Sequence, residues 1–142
     1  MSYSTQAQLV ERYSEKMLID ISDRGETPTG EIDAALIARA IADADALIDG
    51  YLKVRYALPL ADVPDLVRDL SLAISIYKAH AHVAAEKITA DYKDALKTLE
   101  QIARGLIQLD VEGVEPAPSG AAEVRTNQPE RPLSAATMKG YI

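Results

Sequence analysis

Two prolines five residues apart, Pro59 and Pro64, interrupt a chain that reads as helix on both sides. Proline fixes φ, offers no backbone donor and pushes the residue before it out of the α region. The helix arriving from the N-terminal side must therefore stop within YLKVRYALPLADVP, Tyr51 to Pro64, and another must start beyond it. Asp62 is placed to cap that next helix, with Pro64 tolerated in its first turn. Tyr51, Arg55, Tyr56, Leu58, Pro59 and Pro64 are expected to define the fold at this corner rather than to make outside contacts, with Tyr56 closing the core.

Upstream, the pattern is helical from Glu31 to about Tyr56. Ile37, Ile41, Ala44, Ile48 and Tyr51 form one stripe, with Leu36, Ala40 and Leu47 beside it. Thr27 or Thr29 can cap this helix, and Glu31 and Asp33 suit its positive end. The N-terminus opens with Thr5 and Gln8 at capping-box spacing, Ser4 being the alternative cap. Leu9, Val10, Tyr13, Met17, Leu18 and Ile21 then recur at three and four, and because Ser14 can cap a turn of its own, the segment is one helix or two short ones. Ser22 to Gly30 has loop chemistry.

Downstream of the corner, Leu66, Leu70, Ala73, Ile74, Tyr77 and Ala81 fall on one helical face. After a looser stretch from Ala84 to Thr89, Tyr92, Ala95, Leu96, Leu99, Ile102, Ala103 and Leu106 form a further stripe, with Glu100 and Arg104 at ion-pair spacing. Gly105 marks its end, although Leu106 to Leu109 can prolong it by a turn. Beyond Leu109 the character changes: Pro116, Pro118, Pro129 and Pro132 fall in a segment without helical periodicity until the terminal LSAATMKGYI. The expectation is an all-α bundle over residues 1–109, with a long central helix, the corner and two further helices, and an extended arm over 110–142. The arm is either a solvated terminus or a docking element, with Leu133, Met138, Lys139, Tyr141 and Ile142 as contacts to another subunit or partner.

Charge narrows the function. Twenty-two acids against 15 basic residues give −7, with no stripe of Lys and Arg, which argues against a sequence-specific nucleic-acid reader. There is no cysteine, no GxSxG and no phosphate-loop glycine pattern. His80 and His82, two apart on a helix, would point about 200° away from each other, so no shared metal is expected. Asp45 and Asp49 are like charges at i,i+4, repulsive unless a neighbouring chain answers them, with Lys53 offsetting Asp49. No enzymatic activity, cofactor or membrane span is expected from these residues.

The corner also carries a resemblance. Ile48-Asp49-Gly50-Tyr51-Leu52, Arg55-Tyr56-Ala57-Leu58-Pro59-Leu60, Val63-Pro64 and Leu66-Val67-Arg68-Asp69-Leu70, in that order, resemble the Mu-like phage and prophage family of small head-tail adaptor (connector) proteins. Tyr3-Ser4-Thr5 with Leu9, Tyr92-Lys93-Asp94-Ala95-Leu96 through Ile102-Ala103-Arg104-Gly105, and Ser134 to Tyr141 with Met138-Lys139-Gly140 extend it over essentially the whole chain. The gap from Val111 to Asn127 departs from the pattern.

The resemblance implies a helical bundle made in the host bacterial cytoplasm and assembled at the virion neck as a homo-oligomeric, dodecameric ring. Such a ring would sit between the portal protein and a tail or tail-completion protein, and DNA would pass through without sequence-specific binding. The acids would suit a lumen that repels phosphate, and the Ala-rich face of the long helix would suit a subunit interface. Two rivals remain: a small acidic helical regulatory binding module, and an enzyme using a carboxylate and a metal.

Overall fold

The computed structural model describes residues 2–111, which form five helices in the order α1 Gln6–Tyr13, α2 Glu15–Ser22, α3 Ala34–Leu52, α4 Asp65–Ala79 and α5 Glu86–Ala103. The all-α bundle expected from the sequence is the fold, and no strand occurs among the described residues. Its N-terminal part follows the local signals. Thr5 Oγ1 accepts from the Gln8 amide at 3.2 Å and the Gln8 side chain accepts from the Thr5 amide at 2.9 Å, which completes the capping box. Ser14, at φ 90°, breaks the segment, and its hydroxyl accepts from Met17 N at 3.3 Å, so two short helices form instead of one.

The boundaries of α3 differ from the expected Glu31 to Tyr56. Its cap is Asp33, whose carboxylate accepts from Leu36 N at 3.2 Å, and not Thr27 or Thr29. Thr29 is committed elsewhere: its amide and that of Gly30 both donate to Asp23 at 2.9 Å, which closes the preceding loop. Ser22, expected in that loop, is instead the buried last residue of α2; its hydroxyl donates to Leu18 O and accepts from Asp33 N, tying α2 to the start of α3.

Proline also changes the start of α4. Pro64 itself occupies the N-cap position and no side chain caps the helix, so Asp62 does not play the expected role. The buried face of α4 is Val67, Leu70, Ser71, Leu72, Ile74, Ser75, Ile76 and Ala79; Leu66 is exposed, and Ala81 lies outside the helix. His80 ends the helix as its C-cap with Nδ1 2.7 Å from Ile76 O, and His82 follows in the loop, so the two histidines do not share a helix. Helix α5 starts at Glu86, within the stretch read as loose, and Gly105, at φ 81°, stops it before Leu106, which is exposed.

Two apolar clusters share α3, α4 and α5. One gathers Ile48, Leu52, Val67, Leu70, Leu99 and Ile102 with Tyr56 and Leu109; the other gathers Ile37, Ile41, Ile76 and Ile88 with Leu9 and Leu18. The C-terminal half of α3 thus meets the N-terminal half of α4, and the C-terminal half of α4 meets the start of α5: the three run antiparallel in turn, with α1 and α2 closing the second cluster. Tyr77 and Tyr92 stack between α4 and α5, centroids 3.9 Å apart and planes 3° from parallel. The 109-residue limit expected for the bundle falls just short of Val111, which is still buried in the first cluster.

Leu99 and Ile74 are fully buried, so Leu99→Ala and Ile74→Ala should each cost about 2–5 kcal/mol of unfolding free energy. Val83, 97% exposed in the α4–α5 loop, should tolerate Ser within about 0.5 kcal/mol. Urea denaturation of the three variants checks both expectations.

Candidate assembly surface

The corner folds back on itself as soon as α3 ends. The amides of Arg55 and Tyr56 both donate to Leu52 O, at 3.0 and 2.9 Å, turning the chain so that Tyr56 points inward. Tyr56 is buried, and its hydroxyl accepts from Leu109 N at 2.8 Å. A tyrosine from the corner thereby satisfies a backbone donor 53 residues away that would otherwise be buried and unpaired. Leu60 is buried, Tyr51, Leu58 and Pro64 are half-buried, and Pro59, joined to Leu58 by a cis peptide bond, is exposed.

Arg55 makes the second tie. Its guanidinium lies over Gly105, so close that a Cβ there would sit 2.7 Å from Nη1. Its φ of 81° favours glycine at Gly105, and any side chain there would also have to displace the Arg55 guanidinium. Arg55 Nε is buried without a hydrogen-bond partner, so this arginine serves by packing its flat group on backbone. Tyr51, Arg55, Tyr56, Leu58 and Pro64 all lie in or against the bundle, and the sequence alone did not show that their anchor is the end of α5. Immediately beside the contact, Val54 and Leu106 are 59% and 67% exposed.

A third feature went unread in the sequence. Residues 2–5 form a strap across α3 and α4. Tyr3 N donates to Asp45 at 3.0 Å, the Tyr3 hydroxyl donates to Asp49, and Ser4 and Ser71 hydroxyls meet at 2.7 Å. Asp45 and Asp49 thus accept hydrogen bonds from Tyr3 within the same chain; the ion pairs among the described residues include neither Asp49–Lys53 nor Glu100–Arg104. The available signal was the pair of like charges itself, which needs donors. Burial, then the hydrogen bond to Asp49 and the charges of Asp49 and Asp45, hold the Tyr3 phenol well above its ordinary pKa.

A groove of about 580 Å³ separates the α1–α2 pair from α5, with Tyr13, Met17, Ala73 and Ile88 in it and the Lys87–Asp91 ion pair, 2.9 Å, on its rim. Arg12, also lining it, reaches Asp69 of α4 at 2.8 Å. These contacts close the second cluster. Leu133, Met138, Lys139, Tyr141 and Ile142, the expected arm contacts, lie outside the described residues.

Strap, bundle and corner occupy one continuous stretch of sequence, and the family model described as Bacteriophage Mu, Gp36 matches residues 3–128, from Tyr3 of the strap through α5 and beyond. The chain belongs to this family. It is 34% identical over 142 residues to gene product J of Escherichia phage Mu, covering 100% of both chains. It is also 34% identical over 107 residues to the Mu-like prophage FluMu protein gp36 of Haemophilus influenzae, covering 75% of this chain and 74% of that one. The resemblance read from the corner is thereby established at the level of a Mu-type phage protein. Among the described residues, no helix is long and apolar enough to cross a membrane.

Tyr56→Phe leaves the Leu109 amide buried and unpaired, and should lower stability by about 1–3 kcal/mol in denaturant unfolding. Tyr3 gives a pH test. Its folded pKa lies above the unfolded value of 10.0, so above that pH the unfolded state binds fewer protons and stability falls as pH rises. Tyr3→Phe should cost about 1–2 kcal/mol at neutral pH, where the bond to Asp49 is intact, and should flatten the alkaline decline. Part of the slope should remain, because burial also raises Tyr13.

Proposed function

We propose that this chain is a structural head-tail adaptor of a Mu-type phage or prophage. In this reading, copies form a ring between the portal protein and the tail or tail-completion protein, at the neck of the virion, and continue the channel through which DNA passes. The observation that carries it is the match along the whole chain to a phage Mu gene product, with the corner resembling that of small connector proteins. Several physical features support it.

The bundle is rigidly tied at both ends of its sequence, by Tyr3 to α3 and by Tyr56 to Leu109. A ring subunit needs such rigidity to hold its neighbours in register. The chain continues past Val111 for 31 residues to a terminal group, Leu133, Met138, Lys139, Tyr141 and Ile142, whose apolar and aromatic side chains suit burial on a portal or an adjacent copy. The net charge of −7 suits a channel wall over which phosphates slide without sticking. In this role the protein does no chemistry and needs no cofactor.

The test is the mass of the protein by light scattering, alone and mixed with the portal protein of its own phage or prophage. The full chain should reach ring mass with the portal. A chain ending after Val111, and the full-length double variant Met138→Asp/Tyr141→Asp, should lose that association while keeping the helical signal of the bundle. If full-length and truncated chains are equally indifferent to the portal, the adaptor reading is wrong.

A further inference from the structure

Two grooves of opposite charge lie at the two ends of α4. At its C-terminal end, a groove of about 280 Å³ is lined by Arg24, Arg39 and Lys78 with one acid, Asp43, over Leu36 and Ala40. None of these three cations belongs to the ion pairs among the described residues. Arg24 spends its donors on carbonyls, Nε on Ile21 at 2.9 Å and Nη2 on Ala79, so it is held in place with its charge unneutralised. Lys78 Nζ lies 6.0 Å from the centroid of the Tyr92 ring.

At the N-terminal end of α4, a groove of about 530 Å³ is lined by Asp62, Asp65 and Asp110 over Val63, Leu66 and Leu109. Asp65 pairs with Arg68 at 2.6 Å, whereas Asp62 and Asp110 take part in no ion pair among the described residues. Three cations and one acid line one groove, and three acids, one of them paired with Arg68, line the other. Leu66, in the acidic groove, is 37% exposed.

We propose that the acidic groove of one copy docks on the basic groove of the next, head to tail. The two surfaces are different parts of one molecule, separated along α4 by roughly 22 Å at 1.5 Å per residue. A contact between unlike patches is heterologous, and repeated, it closes into a ring when the rotation allows. The inference rests on the adaptor reading for the ring but not for the contact itself. A second copy fits better than nucleic acid. Duplex binding draws on a run of cations along the phosphate backbone, whereas this basic groove holds three cations, is set in a chain of net charge −7, and has its complement on the same molecule.

Charge reversal tests the pairing on the full chain. Arg39→Glu/Lys78→Glu makes both grooves acidic, and Asp62→Lys/Asp110→Lys makes both basic; all four positions are exposed, and circular dichroism verifies folding. At low ionic strength, the wild-type mass by light scattering should rise with concentration. Each variant alone should associate roughly a hundredfold more weakly, since like charges then face each other. An equimolar mixture of the two should regain association, because every contact is again between opposite charges.

A measurement free of any substitution accompanies it. The wild-type mass should fall as salt is raised toward 1 M, where the screening length is about 3 Å. Either variant keeping wild-type mass on its own, a mixture that fails to recover, a salt-independent mass, or a wild-type chain monomeric at low salt overturns the pairing. Self-association that obeys the charge rules without portal binding would remove the adaptor role and leave this contact standing. A portal-bound ring indifferent to the reversals would do the opposite.

Discussion

The bundle depends on the burial of α4 along most of its circumference. Val67, Ile74 and Ile76 are fully buried, Leu70, Leu72 and Ala79 nearly so, and Ser71 and Ser75 are buried among them. Each large aliphatic side chain withdrawn from water contributes about 1.5–3 kcal/mol, but only if neighbours cover it. Helix α3 covers one side and α5 another, and each of the two apolar clusters draws on all three helices. Helices α1 and α2 and the strap then follow as the remaining cover. Ser71 explains why the strap carries a serine: its buried hydroxyl needs a partner, and Ser4 supplies it.

Binding α3, α4 and α5 into one core leaves their connections under tension between reach and satisfaction of backbone groups. The corner resolves this with two long side chains. Tyr56 crosses to the Leu109 amide, and Arg55 lies flat over Gly105. Both act at the end of α5, where the chain would otherwise leave the bundle unsupported. The strap does the same at the other terminus of the sequence, exchanging the repulsion between Asp45 and Asp49 for two hydrogen bonds from Tyr3.

The relation to gene product J of phage Mu covers the whole chain, including the segment past the bundle. The bundle itself offers charged grooves, exposed apolar residues at the corner and a stack of Tyr77 on Tyr92. Val54 and Leu106 flank the Arg55–Gly105 contact without apolar cover. Surfaces of this kind acquire meaning through what they meet, and the acidic and basic grooves are complementary to each other.

What the sequence determined by itself was local. The capping box of Thr5 and Gln8, the end of α5 at Gly105 and the stripe from Ile37 to Ile48 are set by neighbours three to seven residues away or by one residue's own φ, whereas Ser14 left one helix or two open. The family was legible in the corner for the same reason, since a particular turn needs particular residues in order. Only the tertiary structure decided that Tyr3 answers Asp45 and Asp49, that Tyr56 reaches Leu109 and that Arg55 covers Gly105. It also moved the cap of α3 to Asp33, because Asp23 had taken Thr29, and it set three cations at one end of α4 and three acids at the other. Those partners lie far apart along the chain, and no spacing rule links them: their pairing follows from how the helices pack, which is a property of the assembled core.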